Sequence, residues 1–334
     1  MFVDYEKSYK DNFLIAFFFV IRLLLTRKLK ILFIVVIKLG KIMQKLEFIE
    51  DSCEFKYDDL QDNVKNCLTV IINKLKAGQM SIMVGAGFSK NASTAYPSWT
   101  ELLVPAYCII HQKDKKASIE IENIKKEINK NPSKVAQDYI DMKGRREDLD
   151  IYIENFLLKL DRSSSLNLET HRALLDINWN DIITTNWDTL LEKANESGKY
   201  AVIKSAKDLR IRNSKRIIKI NGSLREFEKE QKTYVFDDCF DYLYVITEKD
   251  FNNYHIDHYD FSNFMKVKML QDSFCLIGFS GNDPNFKHWV KELKRTMTKG
   301  GNTKEPNYMF LIDTSKEPPD KETLEYKATS EYYR

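Results

Sequence analysis

No two of the five cysteines in this chain stand as a C-x-x-C pair, and their number is odd. Cys53, Cys67, Cys108, Cys239 and Cys275 are scattered singly. That argues against a disulfide framework and against a structural metal site, and a reducing, cytoplasmic compartment is the simple expectation. Charge of one sign is also scarce: 52 basic residues against 49 acidic leave a net charge of +3, too small to argue for nucleic acid. After residue 45 the basic residues are interspersed with acidic ones, so no phosphate-tracking stripe forms and no direct nucleic-acid binding is expected. Internal repeats and low-complexity tracts are absent.

A single apolar run long enough to cross a membrane is missing too. The stretches FLIAFFFVIRLLL (13–25) and ILFIVVI (31–37) flank the basic TRKLK, whereas a span needs about 20 apolar residues. Joining the two runs would bury Arg22, Arg27, Lys28 and Lys30, each at about 2.5–3.5 kcal/mol near the bilayer centre. A secretory signal fits badly, since Asp4, Glu6 and Asp11 precede the apolar run and no A-x-A-like site follows. Three readings stay open for residues 1–42. They form a basic amphipathic segment touching a membrane surface through 13–38, a helix docked on a partner, or a stretch upstream of the functional protein, whose soluble part then opens at Met43.

What is present suits one large domain: 334 residues, 43% of them hydrophobic and 12% aromatic. NVKNCLTVIINKLKAG (63–78) has apolar residues at helical spacing and predicts a helix stopping near Gly78. Candidate strands follow at 80–85, 181–185, 200–205, 216–222, 242–247, 273–279 and 308–313. Several are almost wholly apolar, as strands covered on both faces are. The expected fold class is therefore α/β, a parallel sheet with helices on each side. Between about 98 and 178 no convincing strand occurs, and the sequence reads as a helical insertion within a domain spanning 43–334.

In an open parallel sheet, ligands bind beyond the carboxyl ends of the strands. Four such ends collect small and polar residues: Gly85-Ala86-Gly87-Phe88-Ser89, Thr185-Asn186-Trp187-Asp188, Asn221-Gly222-Ser223, and Gly278-Phe279-Ser280-Gly281-Asn282-Asp283. Each has a plain structural reading. Glycines serve turns, and Lys90 stands where a G-x-G-x-x-G fingerprint needs its third glycine. Asn186 or Asp188 can cap the helix expected over TLLEKA. NGS suits a tight turn, and NDP suits a loop entering a helix near Pro284. Four such sets at one edge of one sheet are harder to explain by turns alone.

GAGFS, TTNWDTLLE, INGS, YVITEKDF and LIGFSGNDPNF occur in that order, and together they resemble the SIR2-like domains of bacterial anti-phage defence proteins, distant relatives of sirtuins. The resemblance runs from about Lys74 to Asp313. It implies a Rossmann-like NAD-binding domain with a helical insert, and hydrolysis of NAD, as substrate, to ADP-ribose and nicotinamide. It also implies roles by position. Gly85, Ala86 and Gly87 would hold the pyrophosphate through backbone N–H groups and a helix N-terminus, and Gly85 is placed where φ > 0 is expected. Ser89 would add a hydroxyl. Asn186 and Asp188 would lie beside the nicotinamide ribose, and Thr185 belongs to the same motif. Gly278 and Ser280 would lie by the adenosine half, with Asp283 in the same loop.

One departure stands out. The family usually has His-Gly where this chain has Asn221-Gly222, followed by Ser223. Asparagine takes up no proton at neutral pH, but NAD carries an activated leaving group, so orienting water and ribose can suffice. His255 and His258 are substitutes to consider. Two alternatives stay open: an NAD- or ADP-ribose-binding sensor with a weak or dead site, and an NAD-dependent protein deacylase, which the missing zinc cysteines disfavour. No metal is expected. The resemblance further implies a homo-oligomer. Nothing after residue 313 reads as an effector-sensing domain, so the trigger is expected from self-assembly, from a region outside this sequence, or from a partner such as a HerA-type ATPase, an Argonaute-like protein or a phage component.

Overall fold

The computed structural model describes residues 62–112, 118–163, 165–212, 214–224, 227–228, 233–234, 244–279, 281, 283–299 and 309–312. The amino-terminal apolar and basic segment lies outside them. Among the described residues, no helix is long and apolar enough to cross a membrane.

The chain enters through helix α1 (Asp62–Lys76) and reaches β1 (Met80–Val84) through Gly78 at φ +66°, the expected stop. A four-residue helical turn, α2 (Ala86–Ser89), follows β1. Helices α3 (Trp99–Ile110), α4 (Ser118–Lys130), α5 (Pro132–Lys143), α6 (Arg146–Asp161) and α7 (Glu169–Asp176) then precede β2 (Asp181–Thr184). After β2 come α8 (Leu190–Ala194), β3 (Tyr200–Ile203), β4 (Lys215–Lys219), and the two-residue strands β5 (Phe227–Glu228) and β6 (Thr233–Tyr234). The chain then runs through α9 (Glu248–Asp257), α10 (Tyr259–Gln271), β7 (Ser273–Ile277), α11 (Pro284–Lys299) and β8 (Met309–Ile312).

Six strands pair in the order β3-β4-β2-β1-β7-β8, every pair parallel. The expected α/β, Rossmann-like class is what the chain forms. Strands β1, β2 and β7 are buried along their whole length. Their side chains alternate between two cores. Ile82, Val84, Ile182, Ile217, Cys275 and Ile277 pack with Ile71 and Leu75 of α1 and Leu174 of α7. Met83, Ile183, Ile218, Phe274 and Leu276 pack with Tyr254, Phe261, Met265 and Trp289 on α9, α10 and α11. A strand apolar at every position is therefore apolar on both faces of one sheet, as helix-covered strands must be.

The helices between β1 and β2 have their own core, in which Leu103, Ile128, Ala136 and Ile153 are fully buried. Local chemistry sets their ends. Ser98 and Glu101 form a reciprocal capping box at α3. Asn131 caps α5, which carries Pro132 at its start and Gly144 at φ +71° after its end.

The strand expected over 242–247 does not form in the described part of that range. Tyr244 makes one isolated antiparallel bridge with Gly222, and the chain then enters α9. The reason is capping: the Asp250 carboxylate accepts the N–H groups of Ile246 and Thr247, both at 2.9 Å. Those donors are thus taken by a side chain rather than by a neighbouring strand.

Candidate active site

The chain leaves β1 toward β2 and later returns to β7 on the other flank of β1. The switch point of the sheet therefore falls between the carboxyl ends of β1 and β7, where open α/β sheets place their ligands. The loops after β1, β2, β4 and β7 all emerge there.

The loops after β1 and β7 interlock backbone to backbone. Gly85 N–H donates to Ile277 O and Gly87 N–H to Gly278 O, each at 2.9 Å. A Cβ on Gly85 would stand 2.5 Å from Gly278 O, and one on Gly87 2.9 Å from the same atom. Gly278 has φ +58°, and a Cβ there would lie 2.2 Å from Phe88 N. The close approach that the glycine turn demands is thus to the β7 loop. Gly85 itself sits at φ −112°, so positive φ is not its reason. The turn after it is only four residues long, too short to supply the helix N-terminus that the sequence suggests.

The β2 loop crosses this turn. Thr184 Oγ1 donates to Val84 O at 2.9 Å and accepts Asn186 N–H at 3.0 Å, and Thr185 N–H reaches Val84 O at 3.4 Å. These contacts turn the Asn186 side chain inward. Its Nδ2 donates to Gly85 O and to Ser89 Oγ, both at 3.1 Å, while Ser89 Oγ donates to Asp188 Oδ2 at 2.7 Å. Asn186 therefore caps no helix. Asp188 does so in part, because its Oδ1 accepts Leu190 N–H at 3.2 Å. Burial pushes the Asp188 carboxyl up to about 6, against the pull of the Lys219 ammonium.

At the β4 end, Asn221 Nδ2 donates to Asp283 Oδ2 at 3.1 Å. Asp283 caps α11 through Phe286 N–H at 2.9 Å. Burial raises its carboxyl above the ordinary range, against the hydrogen bonds from Phe286 and Asn221. Two buried acceptors at this edge, Asn186 Oδ1 and Asn221 Oδ1, have no hydrogen-bond partner among the described residues. Buried amide oxygens are seldom left so in proteins. The pair fits a ligand that presents donors, such as the hydroxyls of a ribose.

A family model for the SIR2-like domain matches residues 180–333. Over that stretch the chain is similar to a SIR2-like domain. Across 273 residues it is 26% identical to Defense-associated sirtuin 2 of Bacillus subtilis, covering 80% of this chain and 24% of that protein. It is 25% identical over 236 residues to the NAD(+) hydrolase ThsA of Cytobacillus dafuensis, covering 69% of this chain and 41% of the relative. To the ThsA of Enterococcus faecium it is 27% identical over 247 residues, covering 73% and 45%. The chain thus spans about a quarter of the first relative's length and under half of the other two.

The remaining sequence-predicted positions fall as follows. Ala86 is half-buried beside Gly87, and Gly222 bridges Tyr244. The Ser223 hydroxyl turns to Leu224 O at 3.3 Å. Ser280 lies outside the described residues. His255 is exposed on α9, and His258 is buried with its ring 4.7 Å from that of Tyr254.

Four supporting residues went unread in the sequence. Lys219, 1% exposed, donates to the carbonyls of Trp187 and Asp188 and pairs with Glu192 at 3.0 Å, so it holds the β2 loop from below. A lone lysine in the apolar run RIIKI was its signal. Tyr254 OH donates to Ile220 O at 2.6 Å and Trp187 Nε1 to Asn221 O at 2.9 Å. His171 on α7 lies buried against Phe88, ring centroids 4.6 Å apart, and burial holds it neutral, near 3.

Proposed function

We propose that the domain hydrolyses NAD to ADP-ribose and nicotinamide, as an effector in defence against phage. The observation that carries this reading is the Asn186–Ser89–Asp188 network at the sheet's switch point, beside two buried amide oxygens without partners among the described residues. The names of the relatives, two NAD(+) hydrolases and a defense-associated sirtuin, supply the reaction class and the setting.

The chemistry asks little of a base. The nicotinamide of NAD departs neutral from a cationic ring, so the glycosidic bond breaks largely ahead of water attack. Water then adds to the ribose carbon and loses one proton to solvent. Asn186 orients the ribose, Ser89 and Asp188 hold Asn186, and Asn221 accepts from a hydroxyl or from the water. A second reading is favoured by Asn221 alone: a domain that binds NAD or ADP-ribose and turns it over weakly or not at all. In either case full activation is expected through self-assembly, a partner chain or a region outside this sequence.

The test is nicotinamide release from NAD by purified protein, with and without an acylated peptide. Release without peptide is expected. Release only with peptide would point to a deacylase, and saturable binding without release to a sensor.

A further inference from the structure

Asn221 is held at its backbone carbonyl and at its side-chain nitrogen. Its carbonyl O accepts from Trp187 Nε1 at 2.9 Å and from Val245 N–H at 3.0 Å. The preceding residue, Ile220, donates its N–H to Thr184 O at 3.0 Å and accepts from Tyr254 OH at 2.6 Å. The side-chain Nδ2 is taken by Asp283. The side-chain Oδ1 is buried and without a partner among the described residues.

We propose that Asp283 is a positioning residue: it fixes which end of the Asn221 amide faces the site, so that the site presents an acceptor rather than a donor. An amide side chain can turn over at almost no steric cost, and only its partners decide its orientation. A carboxylate accepts and does not donate, so it can hold the NH₂ end and nothing else. Asp283 is itself fixed, because its Oδ1 is committed to the Phe286 N–H that opens α11. The remaining oxygen, Oδ2, faces Asn221. The charged and titratable groups around Asp283 are Lys287 on α11 and the Tyr254 phenol on α9. The outcome is an acceptor that cannot take up a proton. The ligand chemistry it selects is a hydroxyl or water donor. This rests on the hydrolase reading for its substrate, but not for its geometry.

An isosteric substitution tests it. In Asp283→Asn the oxygen must stay on the Phe286 N–H, so the new NH₂ points at Asn221. Asn221 then has to turn over to accept it, and its own NH₂ replaces the acceptor in the site. The cap, the hydrogen bond between the two residues and the packing all survive. The double variant Asp283→Asn with Asn221→Asp restores an acceptor. The carboxylate introduced at position 221 takes the new amide donor of position 283 on one oxygen and leaves the other free.

Calorimetric titration with ADP-ribose and nicotinamide release from NAD are measured on the full chain, with thermal melts alongside. Asp283→Asn should melt like the parent and lose roughly tenfold or more in ADP-ribose affinity or NAD turnover. The double variant should recover much of that loss, which a purely structural role for Asp283 would not produce. A folded Asp283→Asn protein within twofold of the parent in both measurements overturns the proposal, and so does a double variant as impaired as the single one. If the parent binds ADP-ribose but releases no nicotinamide, the hydrolase reading fails alone, and the affinity ratio still decides. If the parent binds neither ligand, both fail.

Discussion

Ser89 Oγ donates to Asp188 Oδ2 at 2.7 Å while accepting from Asn186 Nδ2 at 3.1 Å, joining the loops after β1 and β2 through one buried hydroxyl. The hydroxyl has one proton to give, so it can serve both neighbours only if Asp188 is the acceptor. Ionised, Asp188 accepts on both oxygens, from Ser89 Oγ and from Leu190 N–H, and protonation of either oxygen weakens this network. Burial pushes its carboxyl up to about 6 from an ordinary 3.8. NAD turnover should accordingly rise with pH through about 6. Stability should move the other way. A carboxyl raised in the folded state binds more protons folded than unfolded between those two values, so its contribution is largest below 3.8 and falls as pH climbs to about 6. A pH series of nicotinamide release, paired with urea melts, checks both signs. Turnover flat across that range and up to neutral pH would contradict the ionised form as the working one.

Ser89→Ala removes the link without touching the fold's cores. The Asn186 amide then loses one of its two acceptors, and Asp188 keeps the hydrogen bond from Leu190 N–H. A loss of about tenfold in turnover is expected, with a smaller change in ADP-ribose affinity, because the misplaced group is one needed to orient the ribose during reaction. Steady-state kinetics beside calorimetry would separate the two.

Gly278→Ala should be a folding variant. The added Cβ would lie 2.2 Å from Phe88 N, at a residue with φ +58°, so steric and backbone strain add. A loss of about 3 kcal/mol or more is expected by denaturant melts. Gly87→Val collides with the same backbone, since even a Cβ stands 2.9 Å from Gly278 O. Gly87→Val should therefore lose NAD binding together with a lowered melting temperature. A Gly87→Val protein as stable as the parent would mean that the two loops separate more easily than their contacts imply.

The opposite edge of the sheet supplies a control. Lys268 pairs with Asp181 at 2.6 Å and with Asp272 at 2.8 Å, and all three are buried. Arg216 also grips Asp181 with two hydrogen bonds, and Ser81 and Asn180 donate to Asp272. Lys268→Met takes from the buried Asp272 its ammonium partner and leaves Asp181 with Arg216, which should cost about 3 kcal/mol. Because this network lies at the amino ends of the strands, turnover per folded molecule should stay unchanged. A fall in turnover without a fall in stability would contradict that separation.

Local pattern carried much of the fold. The apolar runs at β1, β2 and β7 announced strands covered on both faces, and Gly78 announced the end of α1. The run at 242–247 misled, because its apolar residues pack into cores while a cap four residues on takes the backbone donors. The site was legible as residue types at strand ends, and hardly at all as partners. Gly85 and Gly87 pointed to a close neighbour, but that neighbour, Gly278, stands far along the chain, and nothing local connects the two. The turning of Asn186 toward Ser89 likewise depends on Thr184 bonding across to β1. Lys219 alone left a trace, as a charge inside an apolar strand.

Asn186 is the pivot of the site, its amide held by Gly85 and Ser89 and its oxygen left buried and unpartnered among the described residues. The most direct measurement is the rate of nicotinamide release from NAD by the parent and by Asn186→Ala at matched folded concentration. Asn186 caps no helix, so the variant should fold, bind ADP-ribose within several-fold of the parent, and lose about 10²-fold or more in turnover. A folded Asn186→Ala protein that releases nicotinamide at the parental rate would contradict the assignment of Asn186 to the reaction.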